Sequence, residues 1–340
     1  MGLKTRILTA RDLDLALYLL NQGQVVAFPT ETVYGLGANA LDPQAVGRIF
    51  KAKGRPADNP LIVHCRDQAQ VSALVTAISN EARVLMEQFW PGPLTLVLPK
   101  TAAVPAVVSA GLETVGIRIP DHPLALELLA KAGFPLAAPS ANISGRPSPT
   151  RVEHVLADLG GRIPAIIDGG ETGWGLESTV LDCTIKPFRV LRPGGITKEE
   201  LEKVVPLAES EDWEQDQKGA PPSPGMKHEH YAPQARVYLI QGAQAASKIL
   251  ELAEKQKKAG KKAGIMVLEE RSHLYPGYTV LSMGSGRNLK TVAANLYHLF
   301  RTADQLGLQV LLVEGMEEKD LGQAIMNRLK QASAGRVIQA

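Results

Sequence analysis

Apolar positions along the chain repeat with two alternating periods. Leu13, Ala16, Leu17 and Leu20 stand at i, i+3, i+4 and i+7, the stripe of an amphipathic helix that Gly23 ends. VVAF at 25–28 follows as an apolar run of strand length. A helix is expected from 42 to 53, with Pro43 in its first turn, where a missing N–H costs nothing. LIVHC (61–65) then reads as a strand, 78–90 as a helix and LTLVL (94–98) as a strand. VGIRIP alternates in and out around Arg118; residues 123–131 read as a short helix and 135–139 as a short strand. Thr150 and Glu153 have the spacing of a capping box, as do Thr197 and Glu200, so a helix is expected after each. AIID (165–168) and STVLD (178–182) are further strands. The class is α/β.

Residues 205–235 break this rhythm. AESEDWEQDQKGAPPSPG is polar, acidic and then rich in Pro and Gly, so it reads as a linker. Alternation resumes with VYLI (237–240), a Lys-rich helix to about Lys258, GIMVL (264–268) and TVLSM. Leu289, Val292, Ala293, Leu296, Phe300 and Ala303 hold a helical stripe, LQVLLVE is a buried strand, and a last helix starts near Leu321. Such βα alternation implies a mostly parallel sheet. The expected organisation is a first domain over 1–204, a linker over 205–235 and a smaller α/β domain over 236–340.

Composition changes this picture little. In 340 residues, 45% are apolar and 21% charged, an ordinary globular profile. The net charge of +2 gives no overall field towards nucleic acid or anionic membrane, so any basic site must be local. Cys65 and Cys183 are far apart and in no metal-type spacing, which fits a reducing cytoplasm. The first residues carry no apolar core of a signal peptide and Arg6 breaks the myristoylation pattern, so neither is expected. The apolar runs are too short to span a bilayer.

Candidate chemistry gathers in the loops. No Walker motif is present. Gly35 to Ala40 fits G-x-G-x-x-[GA], but six residues separate it from the preceding strand and no acid closes a second strand, so a tight glycine turn is expected. The loop 29–37 sets Thr30, Glu31, Thr32 and Tyr34 straight after a buried strand, where α/β proteins bind ligands; a capped turn is the equal alternative. Lys51, Lys53 and Arg55 crowd a helix end before Asn59 and a strand ending at His64. One or two of these cations suit the helix dipole, and three suit a polyanion. His64 and Cys65 are adjacent on a strand and point to opposite faces, so they form no dyad and Cys65 reads as core. Arg118 lies mid-strand among apolar neighbours, facing either solvent or a polar site, with Thr114 in its register. The loop 138–150 offers Ser140, Asn142, Ser144, Arg146 and Ser148 before a helix start, an anion cradle or a plain surface loop. Glu177 and Ser178 open a strand, and Arg192 closes one. His228 and His230 lack a third ligand, and Tyr231 follows them in a segment suited to a flap.

Taken together, PTETVYGLGANA, Lys53-x-Arg55, NPLIVH, WPGPLT, Ser140-x-Asn142, GRPSPT, ESTV and LRPGG resemble the YrdC/Sua5 family over most of residues 8–203. MKHEHYAP and a small α/β unit holding AIMNRLKQAS resemble the extra domain of its long members. The resemblance implies a YrdC-like twisted mixed sheet with a concave basic cavity, a smaller Rossmann-like C-terminal domain, and a linker closing over the cavity. It implies condensation of L-threonine, bicarbonate and ATP to threonylcarbamoyl-AMP and pyrophosphate, for the N6-threonylcarbamoyl modification of adenosine 37 in tRNA. By the same resemblance Thr32, His64, Arg118, Ala138 and Ser178 contact threonine. Arg55, Asn59, Thr114, Ser140, Ser148, Arg192 and Tyr231 contact ATP, with Lys53 and Asn142 completing the two pairs, and Lys53 and Arg55 carry the catalysis. Mg²⁺ is expected on the ATP phosphates, with no protein metal site.

Such a reaction needs no protein nucleophile. An N-carboxylate attacks the α-phosphorus, and the protein positions it and neutralises phosphate charge. Expected partners are L-threonine, bicarbonate, ATP, the proteins that transfer the carbamoyl group to tRNA and, weakly, RNA; no membrane is expected. A pure RNA-binding module is the main rival, disfavoured by the low net charge and by aromatic residues at only 5%.

Overall fold

A computed structural model describes residues 3–209 and 231–340. Most of the expected linker, with His228 and His230, lies outside the described residues. Those described form two compact units: residues 3–144, 149–173 and 177–209 in one, and 145–148, 174–176 and 231–340 in the other.

The first unit holds ten strands: β1 (Arg6–Leu8), β2 (Val26–Phe28), β3 (Gly35–Asn39), β4 (Ile62–His64), β5 (Leu94–Pro99), β6 (Thr114–Arg118), β7 (Leu136–Ala137), β8 (Ala165–Ile167), β9 (Thr179–Asp182) and β10 (Arg189–Arg192). They form one mixed sheet in the order β1-β8-β2-β3-β7-β4-β6-β5-β9-β10. Successive side chains in its strands enter two separate cores. Val26, Phe28, Ala165, Ile167 and Leu136 pack with Leu13, Leu20, Leu128 and Leu129. Ala27, Ile166 and Ala137 pack instead with Val46, Ile49, Leu85 and Met86. Helices Leu13–Asn21 and Pro123–Ala132 supply the first core, and Pro43–Lys53 and Asn80–Phe89 the second. Burial on both faces explains why these strands read as unbroken apolar runs.

Two local expectations are corrected. Gly35 to Asn39 is not a glycine turn but β3, antiparallel to β2. Gly37 faces the Phe28 ring, and a Cβ there would come within 2.8 Å of Phe28 Cε1, so the glycine is required for close packing across the strand pair. The Thr150/Glu153 capping box does not form either. The helix runs Val152–Leu159 from an uncapped Arg151, and Thr150 N donates to His154 Nδ1 at 3.2 Å. A buried ring has taken the amide before the box is made. The second box forms as expected: Glu200 N donates to Thr197 Oγ1 at 3.2 Å and Thr197 N to Glu200 Oε2 at 2.8 Å. Helix Pro43–Lys53 is capped by Asp42 and ended by Gly54 at φ 62°.

The second unit contains β11 (Arg236–Gln241), β12 (Ala263–Val267), β13 (Thr279–Ser282), β14 (Val310–Glu314) and β15 (Val337–Gln339). All pairings are parallel, in the order β13-β12-β14-β11-β15, with helices Ala245–Lys258, Leu289–Gln305 and Leu321–Ser333. Tyr231 is buried here at φ 67°, stacked on Tyr297 at 5.4 Å with the Arg328 guanidinium 5.3 Å from its ring. Ser148 belongs to the same unit and is fully buried. No helix among the described residues is long and apolar enough to cross a membrane.

Candidate active site

The loop after β2 is set by its own side chains. Thr30 Oγ1 accepts from the amides of Thr32 and Val33, at 3.2 and 3.3 Å, and donates to Val33 O at 2.7 Å, a turn made by hydroxyl-to-backbone bonds. Tyr34 anchors its far end, donating to Gly170 O at 2.7 Å and accepting from Gly169 N. Glu31 and Thr32 are thereby held inside the protein.

Strands β4 and β6 run parallel with His64 opposite Arg118, so both side chains reach the same face at the carboxyl ends of their strands. Arg118 is only 3% exposed. Its Nη1 donates to Thr32 Oγ1 at 2.9 Å and its Nε to Gly92 O at 3.1 Å. Its Nη2 lies 2.5 Å from Glu31 Oε2, an ion pair whose groups touch without hydrogen-bond alignment. Ser178 stands at the mouth of β9, sharing a 2.7 Å hydrogen bond with Thr95 of β5. The Arg192 guanidinium donates to Ser178 O at 2.8 Å and Oγ at 3.2 Å. Ala138 N is taken by Ile62 O at 2.9 Å, at the edge of β7.

A second group surrounds the end of helix Pro43–Lys53. Lys53 is buried, and its Nζ donates to the carbonyls of Ser140 at 2.5 Å and Asn142 at 2.6 Å. Ser140 Oγ in turn meets Asn142 Oδ1 at 2.5 Å. Lys53 therefore pins the Ser-x-Asn loop by its backbone. Burial holds the Lys53 amine well below its usual pKa, with the nearby Arg55 charge adding to the effect. Arg55 donates to Pro60 O at 3.0 Å and to Asn59 O. Thr114 is half-buried at the start of β6. Lys51 points to solvent, as expected of a dipole partner.

Several buried polar atoms in this region have no hydrogen-bond partner among the described residues: both side-chain atoms of Asn59, His64 Nδ1 and Glu31 Oε1. Native interiors rarely leave such atoms unsatisfied, so the region is a candidate for bound ligand or water. The thiols offer no nucleophile, because burial pushes the pKa of Cys65 and Cys183 up. Cys65 is core, as its strand position implied.

Burial, aided by the Arg118 charge, pulls the His64 pKa down from 6.5 to about 3, so its ring is neutral near pH 7. Below pH 6.5 the unfolded chain binds a proton that the folded chain does not, so this stability is present above 6.5 and lost as pH falls. Wild type should lose about 1.4 kcal/mol more per pH unit than His64→Gln between pH 6 and 4. Urea unfolding of both proteins across that range checks this; parallel pH dependences would refute it.

A family model described as "Telomere recombination", for the Sua5/YciO/YrdC proteins, matches residues 18–194. The chain belongs to the Sua5/YciO/YrdC family. A second model, "Threonylcarbamoyl-AMP synthase, C-terminal domain", matches residues 196–334. The threonylcarbamoyl-AMP synthase of Bacillus subtilis (strain 168) is 49% identical over 325 residues, covering 95% of this chain and 93% of its own. That of Pyrococcus abyssi (strain GE5 / Orsay) is 49% identical over 333 residues, covering 96% and 95%. The crystal structure of P. abyssi Sua5 complexed with L-threonine matches with a TM-score of 0.92 at 46% identity, covering 99% of this chain and 100% of that one.

Among the residues singled out within this Sua5/YciO/YrdC chain, Thr32, His64 and Arg118 lie in one group, Ser178 and Arg192 in a second, and Lys53, Ser140 and Asn142 in a third. Tyr231 and Ser148 fall in the second unit. Sequence reading named Glu31 in its loop but assigned it no role, and passed over Thr95. Only burial and the Arg118 pairing expose the first, and only the β5–β9 pairing exposes the second.

Proposed function

We propose that this chain is a threonylcarbamoyl-AMP synthase, joining L-threonine, bicarbonate and ATP into threonylcarbamoyl-AMP and pyrophosphate. The observation that carries the reading is the buried Arg118 fork, flanked by Thr32 and His64, in a chain nearly half identical to two synthases over its length. A guanidinium with fixed Nε and Nη1 is preset for a carboxylate, and threonine supplies one. His64, neutral, and Ser178 act on threonine as hydrogen-bonding groups, with the Ala138 backbone beside them.

Within the first unit, ATP is held in this reading by Arg55, Asn59, Thr114, Ser140, Asn142 and Arg192. Lys53 and Arg55 are the catalytic pair: Arg55 offsets phosphate charge, and Lys53 keeps Ser140 and Asn142 in place. Mg²⁺ arrives on the phosphates. The N-carboxylate of threonine attacks the α-phosphorus, and pyrophosphate leaves. Rate comes from positioning and charge neutralisation in a water-poor site. Residues 1–204 carry this chemistry, 205–235 connect, and 236–340 form a companion domain. The product passes to proteins that load it onto tRNA in the cytoplasm, and direct RNA contact is weak.

Pyrophosphate release from MgATP and bicarbonate, with and without L-threonine, tests the reading. Release should depend on threonine and coincide with a new adenylate on chromatography. Release that ignores threonine, or none in either condition, would overturn it.

A further inference from the structure

Glu31 is a buried carboxylate to which nothing above gives a role. It is 8% exposed, its Oε2 sits 2.5 Å from Arg118 Nη2, and its Oε1 has no hydrogen-bond partner among the described residues. A carboxylate kept inside a protein with an unsatisfied oxygen carries a desolvation cost that a ligand donor removes. We propose that Glu31 is the catalytic base that takes a proton from the α-ammonium group of bound threonine. The inference rests on the threonine site proposed above.

The geometry follows from the substrate. Threonine enters as a zwitterion, and its ammonium lies two bonds from its carboxylate carbon. A carboxylate docked on Arg118 therefore brings the ammonium beside the acid already paired with Arg118. An ammonium has no lone pair, so it cannot form a bond to carbon until it loses a proton. The other groups on the cluster are poor acceptors for it. Thr30 and Thr32 are hydroxyls, and Arg118 is a cation. His64, its pKa pulled down to about 3 by burial, is neutral and carries no charge to draw an ammonium. His122 is half-buried and its Nδ1 has no hydrogen-bond partner among the described residues; burial lowers its pKa, against the opposing charges of Glu31 and Asp121.

The step balances. Threonine ammonium gives one proton to the Glu31 carboxylate. The freed amine forms the N–C bond to bicarbonate carbon, one C–O bond of bicarbonate breaks, and the amine's second proton leaves with that oxygen as water. The net products are the N-carboxylate, water and one proton, held by Glu31 and then released to solvent.

The test uses the full chain and threonine-dependent pyrophosphate release between pH 6.5 and 9. Glu31→Gln should lower kcat about 100-fold near pH 7.5, the usual scale for a general base. Its deficit should shrink about tenfold per pH unit as free threonine amine accumulates, while the wild-type profile stays flat. KM for ATP should not change. Glu31→Gln activity within threefold of wild type would overturn the proposal. So would a pH-independent loss matched by weaker threonine binding, since that is what a mere support for Arg118 would produce. A wild-type rate that itself climbs tenfold per pH unit would overturn it without any variant. If wild type shows no threonine-dependent release, the synthase reading has failed first, and the two failures stay distinct.

Discussion

Arg118→Ala should lower kcat/KM for threonine by about two to three orders of magnitude, the scale of removing one partner from a buried, hydrogen-bonded charge pair. The same change should destabilise the protein by about 3–5 kcal/mol, because Glu31 is left buried without its countercharge. The two effects separate in a double variant. Arg118→Ala with Glu31→Gln removes the stranded charge, so most of the stability should return while activity stays lost. Urea unfolding and the pyrophosphate assay on both singles and the double give the coupling energy directly. A single variant that unfolds like wild type and still turns over threonine would mean that Arg118 neither pairs with Glu31 in solution nor binds substrate.

Lys53→Met should abolish most turnover by a different route. Methionine matches the length of lysine but donates nothing, so the Ser140 and Asn142 carbonyls lose their shared donor. The Ser140 carbonyl keeps the Asn142 amide at 3.1 Å, but losing a buried charged donor to the loop costs about 1–3 kcal/mol, enough to let the loop move. The loop carries Ser140 and Asn142, so ATP affinity should fall at least tenfold and pyrophosphate release about 100-fold. Threonine affinity should change little, because Thr32, His64 and Arg118 make no hydrogen bond to Lys53. Calorimetric titration with each substrate checks the split. Equal losses for both would show a general collapse of the unit, and unchanged ATP binding would remove Lys53 from the nucleotide side.

Lys53 illustrates how residue type and residue role diverge. A Lys-x-Arg at a helix end suggests two cations aimed at phosphates. In the folded chain the half-buried Arg55 side chain donates to the carbonyls of Asn59 and Pro60, while Lys53 turns inward to those of Ser140 and Asn142. The two cations thus hold different stretches of backbone, Arg55 the segment at 59–60 and Lys53 the Ser-x-Asn loop.

What the sequence alone determined are features set by neighbours a few positions apart. Helix Pro43–Lys53 was legible from Asp42, Pro43 and Gly54, and the Thr197–Glu200 box from its spacing, because a cap is satisfied within one turn. The parallel second sheet followed from the period of its apolar runs. The family motifs named Arg118, His64 and Lys53 as site residues. Only the tertiary structure decided what these residues touch. Lys53 meets Ser140 across 87 positions and Arg118 meets Thr32 across 86, contacts that exist because β4 pairs in register with β6 and the β2 loop folds over them. The same holds for the two local misreadings. Gly35 to Asn39 became a strand because Phe28 lies against Gly37, and the Thr150 cap was lost because the His154 ring took its amide. A local pattern lists which conformations a segment can adopt. Burial against distant neighbours selects among them, since a buried donor or acceptor must be satisfied by whatever group the fold brings within reach.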